Sequence, residues 1–149
     1  MKNFDPSKIQ IAILGLGYVG LPLALEFSKK YNVVGFDINH TRIKDLKDGI
    51  DSTNEAGAAE LNASALTYSS SVNDIASSNI YIITVPTPID QDNMPDLQPL
   101  ISASKMVGSI LSEGDIVIYE STVYPGATEE ICVPQLEMTS GFLLNKNFF

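Results

Sequence analysis

The chain has 149 residues, of which 44% are hydrophobic and 18% are charged, as in an ordinary globular protein of one domain. Its formal net charge of −9 argues against a nucleic-acid partner, because no basic stripe is present to displace counterions. No apolar run approaches the roughly 20 residues that span a bilayer, so we expect no membrane partner.

The first half of the chain predicts two units of a strand followed by a helix. The run IQIAIL at residues 9–14 is apolar and precedes glycines, so it predicts a buried strand. Apolar residues at four-residue spacing follow and predict a helix to about residue 30. The run NVVGFD at 32–37 predicts a second strand, and Asn39 or Thr41 could cap the helix after it.

The second half continues the alternation of strand and helix. The runs NIYIITV at 79–85 and DIVIYES at 115–121 predict buried strands, and Pro86 stops the first of them. The other predicted segments are a small polar loop with room for a short helix at 51–65, a strand at 66–70, a short helix at 71–78, a helix at 97–112, and a last helix with Pro125 in its first turn and a kink or break at Pro134.

This order of elements indicates the fold class. Strands that alternate with helices, four of them apolar on both faces, are typical of a parallel sheet that is covered on both sides. We therefore predict an α/β fold of the Rossmann-like, doubly wound type, in which a mainly parallel sheet carries helices on both faces in three layers. Residues 1–149 form a single domain in this interpretation, without internal repeats.

The segment ILGLGYVGLP joins the first predicted strand to the first helix. It contains G-x-G-x-x-G at Gly15, Gly17 and Gly20, in the context of strand, turn and helix that a dinucleotide-binding site requires. In such a turn the first glycine permits the tight bend, the second lets a pyrophosphate approach the backbone, and the third lets the helix pack closely. The N–H groups near Tyr18 and Val19 would then face the phosphates.

The second predicted strand ends with an acidic residue, Asp37. It lies about 20 residues after Gly15, which is the spacing of the ribose-binding acid in dinucleotide-binding folds. A carboxylate there accepts hydrogen bonds from the adenosine ribose and repels a 2′-phosphate, so NAD is favoured over NADP. Arg42 complicates this preference, because a nearby arginine can receive that phosphate. Two other interpretations stay open: a plain glycine-rich turn with a surface aspartate, and a methyltransferase with a similar turn and ribose-binding acid.

Two segments that follow later strands complete a set of four ordered motifs. VPTPID, with PD at Pro95 and Asp96, comes after the strand at 79–85, and YESTVYPGATEE comes with the next strand. Together with GLGYVGLPLA and FDIN, they resemble the UDP-glucose/GDP-mannose dehydrogenase family, and most closely its bacterial branch that oxidises UDP-N-acetylhexosamines for surface polysaccharides. The resemblance extends from Ile9 to about Phe148.

The resemblance implies that this domain binds NAD beyond the carboxyl ends of its strands. The implied contacts are Tyr18 and Val19 at the pyrophosphate, Asp37 and Arg42 at the adenosine end, Val85, Pro86 and Thr87 where the cofactor crosses the strand ends, and Glu120, Ser121, Thr122 and Thr128 near the nicotinamide. Capping of strand or helix ends is the alternative role for Thr87, Thr122 and Thr128.

The resemblance also implies an activity for a full-length protein. Such an enzyme would oxidise the C6 alcohol of a UDP-N-acetylhexosamine or UDP-glucose to the uronic acid with two NAD. The family's cysteine nucleophile belongs to a later domain, so no catalytic residue is expected here. Because the apolar tail GFLLNKNFF looks cut in mid-domain, we expect an N-terminal piece of a longer enzyme, commonly a homodimer or higher oligomer. This piece should bind NAD without turnover.

Rival functional classes remain open at this point. A short-chain dehydrogenase is disfavoured because none of the six tyrosines has a lysine four residues later. A stand-alone, non-catalytic module that senses NAD or a nucleotide is not excluded by the sequence.

The remaining chemically notable residues receive structural interpretations. Cys132, the one cysteine, is interpreted as a buried packing residue, which fits a reducing, cytoplasmic setting. His40 is interpreted as a solvated residue at a helix start. One histidine and one cysteine argue against a zinc site, and the acidic loop at 89–96 predicts a solvated segment rather than a cation site.

Overall fold

A computed structural model describes residues 8–89 and 95–149. Its strands are β1 (Gln10–Leu14), β2 (Asn32–Phe36), β3 (Thr67–Ser69), β4 (Ile80–Ile83) and β5 (Ile116–Tyr119). They form one sheet in the order β3-β2-β1-β4-β5, and all four pairings are parallel. The predicted doubly wound α/β fold is confirmed, because the strand order reverses at β1 and the second half of the chain starts again beside it at β4.

Helices connect these strands. They are α1 (Gly20–Ser28), α2 (His40–Lys47), α3 (Ala58–Ala63), α4 (Gln98–Gly108) and α5 (Val133–Ser140), with a 3₁₀ turn at Val72–Asp74 and a π-helical turn at Thr128–Cys132. Of the two caps considered for α2, Asn39 is the one used, since its side chain accepts hydrogen bonds from the N–H groups of Thr41 and Arg42.

Two apolar layers cover the two faces of the sheet. Alternate residues of a strand point to opposite faces, so Ile11 and Ile13 of β1 join α1, α2 and α3 in one layer. Ala12 and Leu14 join α4 and α5 in the other layer. Burial on both faces is the reason that the central strands have continuous apolar runs rather than an alternating pattern.

The last helical segment differs from the prediction at its start. Pro125 lies in the turn before the helix, not in its first turn. The π-helical turn then precedes α5, in which Pro134 occupies the first turn. Proline has no N–H and its ring crowds the carbonyl four residues back, which favours a wider turn here. The expected break at Pro134 therefore appears as a change of helix type.

The apolar C-terminal stretch packs against the domain. Phe148 is 1% exposed and belongs to the layer of α4 and α5. The N–H of Phe149 donates to the carbonyl of Asp115 at 2.9 Å, and the N–H of Val117 donates to the carbonyl of Phe149 at 2.8 Å. The C-terminal stretch thus provides hydrogen-bond partners for backbone groups beside and within β5.

Candidate functional site

A cleft of about 1140 Å³ opens beyond the carboxyl ends of β1, β2, β4 and β5. Ligands of open parallel sheets bind at this place, where the strand order reverses. Most of the predicted site residues line the cleft: Gly15, Gly17, Tyr18, Val19, Asp37, Arg42, Val85, Pro86, Thr87, Glu120, Ser121 and Thr122. Gly20 and Thr128 do not line it, because Gly20 lies under the turn and Thr128 starts the π-helical turn further along the chain.

Gly15 makes the tight bend that leaves β1. Its φ is +98°, in the left-handed region that favours glycine, and a Cβ there would lie 2.9 Å from the carbonyl oxygen of Thr84. Thr84, the residue after β4, has its Oγ1 3.0 Å from the carbonyl oxygen of Leu14 and 2.7 Å from that of Gly15. The turn is therefore held against β4 as well as β1.

The other two glycines of the turn have opposite surroundings. A Cβ on Gly20 would lie 1.8 Å from the carbonyl oxygen of Gly15 and 2.4 Å from Oγ1 of Thr84, so α1 can start this close to β1 only with glycine. A Cβ on Gly17 would meet nothing within 4 Å. Because Gly17 borders the cleft, that open space is accessible to a ligand.

The turn presents backbone donors to the cleft. Among the described residues, no hydrogen bond that we find uses the N–H groups of Gly17, Tyr18 or Val19. The carbonyls of Gly17 and Val19 accept bonds from Leu21 and Leu23 in α1, which fixes the orientation of the turn. The positive end of the α1 dipole lies at the same place. An anionic ligand can be held here without a side-chain cation.

Asp37 follows β2, and two backbone donors fix its carboxylate. Oδ2 accepts a hydrogen bond from the N–H of Leu16 at 2.9 Å, and Oδ1 accepts one from the N–H of Asn39 at 2.9 Å. Each carboxylate oxygen can accept two bonds, so both keep a lone pair for a ligand. Two adjacent acceptors suit the neighbouring hydroxyls of a ribose.

Arg42 lines the cleft, but its donors are engaged inside the protein. Nη1 lies 2.7 Å from Oδ1 of Asp51, and the arginine side chain is 8% exposed. Nε and Nη2 donate to the carbonyl of Leu16 at 2.9 and 2.8 Å. Ser52 and Thr53 accept from Nη1 and Nη2 at 3.1 and 3.2 Å. The arginine therefore bridges the glycine turn and the loop after α2.

Asp51, the ion-pair partner of Arg42, was missed from the sequence. Its side chain has no exposed surface, and its carboxylate accepts hydrogen bonds from the N–H groups of Thr53, Glu55 and Ala56 and from the Thr53 hydroxyl. Burial by itself raises the pKa of Asp51, but bonds from Thr53, Arg42 and Ala56 outweigh burial and hold the pKa well below its usual range. The only available signal was the Asp-Ser-Thr turn pattern.

Two reciprocal hydrogen bonds join the loops that follow β4 and β5. Oγ1 of Thr87 donates to the carbonyl of Thr122 at 2.7 Å, and Oγ of Ser121 donates to the carbonyl of Val85 at 2.6 Å. The backbone role considered for Thr87 is therefore present, and its hydroxyl oxygen can still accept hydrogen bonds. These bonds fix the spacing of the two loops at the rim of the cleft.

Helix α4 supplies a wall of the cleft that we did not predict from the sequence. Pro99, Ser102, Ala103 and Met106 line the cleft from this helix. Their spacing of three and four residues marks one helix face. The spacing of residues was the available signal, but in the sequence it served only to predict a helix at 97–112.

Cys132 and His40 lie away from the lining of the cleft. Cys132 is 1% exposed, in the layer of α4 and α5, and burial raises the pKa of its thiol. His40 is exposed at the start of α2, and its Nδ1 lies 2.7 Å from Oγ of Ser70. Both positions agree with structural roles.

A metal site needs several ligating side chains close together. Within the described ranges, 8–89 and 95–149, no three His, Cys, Asp or Glu side chains are grouped so as to hold a metal ion. No helix there has the length and apolar character to cross a bilayer. Residues 90–94 of the acidic loop fall outside these ranges, so the interpretation of that loop stays a prediction.

Comparison with known proteins identifies relatives of the whole domain. Residues 9–148 match the model of the UDP-glucose/GDP-mannose dehydrogenase family, NAD binding domain. The chain is 59% identical over 142 residues to the UDP-N-acetyl-D-glucosamine 6-dehydrogenase of Pseudomonas aeruginosa, which covers 95% of this chain and 34% of that protein. It is 54% identical over 147 residues to the enzyme of the same name from Salmonella typhi, covering 98% of this chain and 35% of that protein.

Solved structures give the same result for the fold. The UDP-D-ManNAc dehydrogenase of Pyrococcus horikoshii matches with a TM-score of 0.87 at 37% identity, over 94% of this chain and 34% of that one. A ternary complex of GDP-mannose dehydrogenase from Pseudomonas aeruginosa matches with a TM-score of 0.87 at 28% identity, over 93% and 34%. The chain thus spans about a third of the length of these relatives. It belongs to the UDP-glucose/GDP-mannose dehydrogenase family, whose NAD-binding domain it comprises.

Proposed function

We propose that the chain is the cofactor-binding part of an NAD-dependent nucleotide-sugar 6-dehydrogenase. The full-length protein would oxidise the C6 alcohol of a UDP-N-acetylhexosamine, or of UDP-glucose, to the uronic acid with two NAD. Support for the substrate class comes from the two bacterial relatives at 59% and 54% identity, both named UDP-N-acetyl-D-glucosamine 6-dehydrogenase. The part described by this chain would bind NAD without oxidising a sugar.

The observation that carries this proposal is the turn at Gly17. Space that a Cβ would occupy is open to the cleft, and the three N–H groups at Gly17, Tyr18 and Val19 have no partner among the described residues. These groups fit a pyrophosphate, which needs donors and close backbone approach. We assign the adenosine ribose to the carboxylate of Asp37, whose two oxygens keep free lone pairs.

The remaining residues have proposed positions along the cofactor. When NAD is bound, its nicotinamide ring would accept the hydride. Val85, Pro86 and Thr87 would support its middle, and Glu120, Ser121 and Thr122 would lie near the nicotinamide. Their support is the shared lining of one cleft and the hydrogen bonds that join the two loops. We propose a position near the nicotinamide for Thr128 as well, and the resemblance to the family is its only support.

Titration calorimetry with NAD and NADP tests this function. We expect NAD to bind the 149-residue chain and Asp37→Ala to weaken NAD by about tenfold or more, because hydrogen bonds to a charged acceptor are lost. Glu113→Ala, an exposed carboxylate outside the cleft lining, is the control and should leave NAD affinity unchanged. Absence of NAD binding, or equal affinity in Asp37→Ala, would contradict the proposed cofactor site.

We also propose a cytoplasmic location and a homodimer or higher oligomer for the full-length protein. The location is supported by Cys132, a free and buried thiol that suits a reducing compartment. Light scattering of the full-length protein would test the oligomer, and a monomeric mass would contradict it.

A further inference from the structure

We propose that Asp51 is a cofactor-specificity residue that acts through Arg42. It holds the guanidinium in internal hydrogen bonds, so that Arg42, the cation in the described lining of the cleft, cannot receive a 2′-phosphate. The inference rests on the proposed placement of the adenosine ribose at Asp37. It concerns a side chain that touches no part of the cofactor, so Asp51 is a positioning residue rather than a binding residue.

The donors of Arg42 are fully used. A guanidinium has five N–H groups, and five contacts are present: one from Nε and one from Nη2 to the carbonyl of Leu16, one from Nη2 to Thr53, and two from Nη1 to Ser52 and Asp51. A phosphate would have to displace one of these acceptors before the arginine could bind it. The cation therefore lines the cleft without offering a donor to it.

Asp51 holds Arg42, rather than the reverse, because the loop fixes the carboxylate independently. Oδ2 accepts hydrogen bonds from the N–H groups of Glu55 and Ala56 at 2.7 and 3.0 Å. Oδ1 accepts from the N–H and hydroxyl of Thr53 at 2.9 and 2.6 Å. None of these four bonds involves the arginine, so the loop presents a preorganised anion to which Arg42 is drawn.

The ion pair also supports the ribose site through one residue of the turn. The guanidinium of Arg42 donates two hydrogen bonds to the carbonyl of Leu16. The N–H of Leu16 in turn donates to Oδ2 of Asp37 at 2.9 Å. A 2′-phosphate at the ribose would therefore face the Asp37 carboxylate, and among the described lining residues no cation with a free donor would offset the repulsion. NAD, which has hydroxyls at this position, meets no such repulsion.

Removing the charge of Asp51 should change this selectivity. In Asp51→Asn the guanidinium loses its charged acceptor while remaining in the wall of the cleft. Arginine with free N–H groups binds phosphate bidentately. We expect the ratio of the Kd for NADP to the Kd for NAD to fall by about tenfold or more, mainly through tighter NADP binding. A merely structural role would weaken both cofactors together and leave the ratio unchanged.

The experiment is a calorimetric titration of the wild type and of variants with NAD and with NADP. Asp48→Asn removes an exposed carboxylate close in the chain and should leave the ratio unchanged. Adding Arg42→Met to Asp51→Asn should abolish the gain for NADP, since the cation is gone. An unchanged ratio in a folded Asp51→Asn protein, or a gain for NADP that survives Arg42→Met, would overturn the inference.

A second variant covers the case in which Asp51→Asn does not fold. Ser52 is exposed and accepts one bond from Nη1 of Arg42, so Ser52→Ala frees one N–H without touching the ion pair. We expect the ratio to fall by about threefold, and an unchanged ratio would then overturn the inference. Wild-type protein that fails to bind NAD would instead contradict the proposed function, which separates the two failures.

Discussion

Two glycines of the turn after β1 differ in how much space surrounds the position of a Cβ atom. Gly20 lies where a Cβ would come within 1.8 Å of a backbone oxygen, whereas Gly17 has open space on its Cβ side. The fold restricts the first position, whereas at the second we expect a bound cofactor to impose the restriction. A pair of alanine substitutions can therefore separate folding from binding within four residues of sequence.

We expect Gly20→Ala to lower the free energy of unfolding by at least about 3 kcal/mol, because the backbone oxygen of Gly15 cannot yield as a flexible side chain can. Gly17→Ala should change this free energy by less than about 0.5 kcal/mol. It should weaken NAD about tenfold or more, because the methyl group obstructs the approach of the pyrophosphate. Urea denaturation and calorimetry measure the two effects.

Either reversal would be informative about the turn. A Gly20→Ala protein of wild-type stability would show that α1 can move away from β1. Unchanged NAD affinity in Gly17→Ala would contradict the placement of the pyrophosphate at this turn.

At the residue scale, the sequence predicted what local spacing determines. The glycines and Asp37 lie at fixed positions relative to β1, α1 and β2, so a motif read along the chain suffices. The engagement of Arg42 could not be predicted, because it depends on a loop that has no periodicity and only folds around Asp51 in three dimensions. Thr84 was missed for the same reason, since its hydroxyl reaches Leu14 across 70 residues.

At the scale of elements, the loop between α2 and α3 is organised by one carboxylate. The carboxylate of Asp51 accepts four hydrogen bonds from its own loop and forms an ion pair with Arg42. These interactions hold its pKa well below the usual range. Aspartate in an unfolded chain titrates near pH 3.9. The folded chain therefore gains stability from Asp51 at all pH values above that point and loses it as the pH falls further.

We expect the wild type to lose stability more steeply below about pH 4 than Asp51→Asn, whose amide does not titrate in this range. At neutral pH we expect the wild type to be the more stable of the two, because the variant leaves Arg42 without its charged partner. Urea midpoints measured between pH 3 and pH 7 would show the two curves converging. Parallel curves would contradict the assignment of this pH dependence to Asp51.

Element types were predicted better than element ends. The strands and the caps follow from apolar runs and from Asn39, which are local signals. Helix α4 ends at Gly108 rather than at residue 112, because the apolar spacing continues into a turn that also packs on the core. The π-helical turn before α5 depends on how Pro134 meets the preceding carbonyls, which spacing along the sequence does not reveal.

At the scale of the whole molecule, Cys132 reports on the integrity of the core. The thiol is 1% exposed and its pKa is raised by burial, so a thiol reagent should react only after the layer of α4 and α5 opens. A cofactor that binds only the folded chain should stabilise that chain as a whole.

We expect labelling of Cys132 by a thiol reagent to be slow in the native chain and about 100-fold slower still at an NAD concentration of 100 Kd. The denatured chain in urea should label at the rate of a free thiol, which provides the control. A native labelling rate that does not respond to NAD would indicate that a local opening, rather than global unfolding, exposes the thiol.

The central position of β1 has a consequence for synthesis. β1 is made first, yet its contact with β4 joins residues 70 positions apart, as the bond from Thr84 to Leu14 shows. At roughly 5–20 residues per second, a ribosome needs roughly 4 to 14 s for that stretch. During this interval one edge of β1 has no neighbour, which invites chaperone binding or aggregation. The turn from Gly15 to Gly20 therefore cannot close on Thr84 until more than half of this domain has been translated.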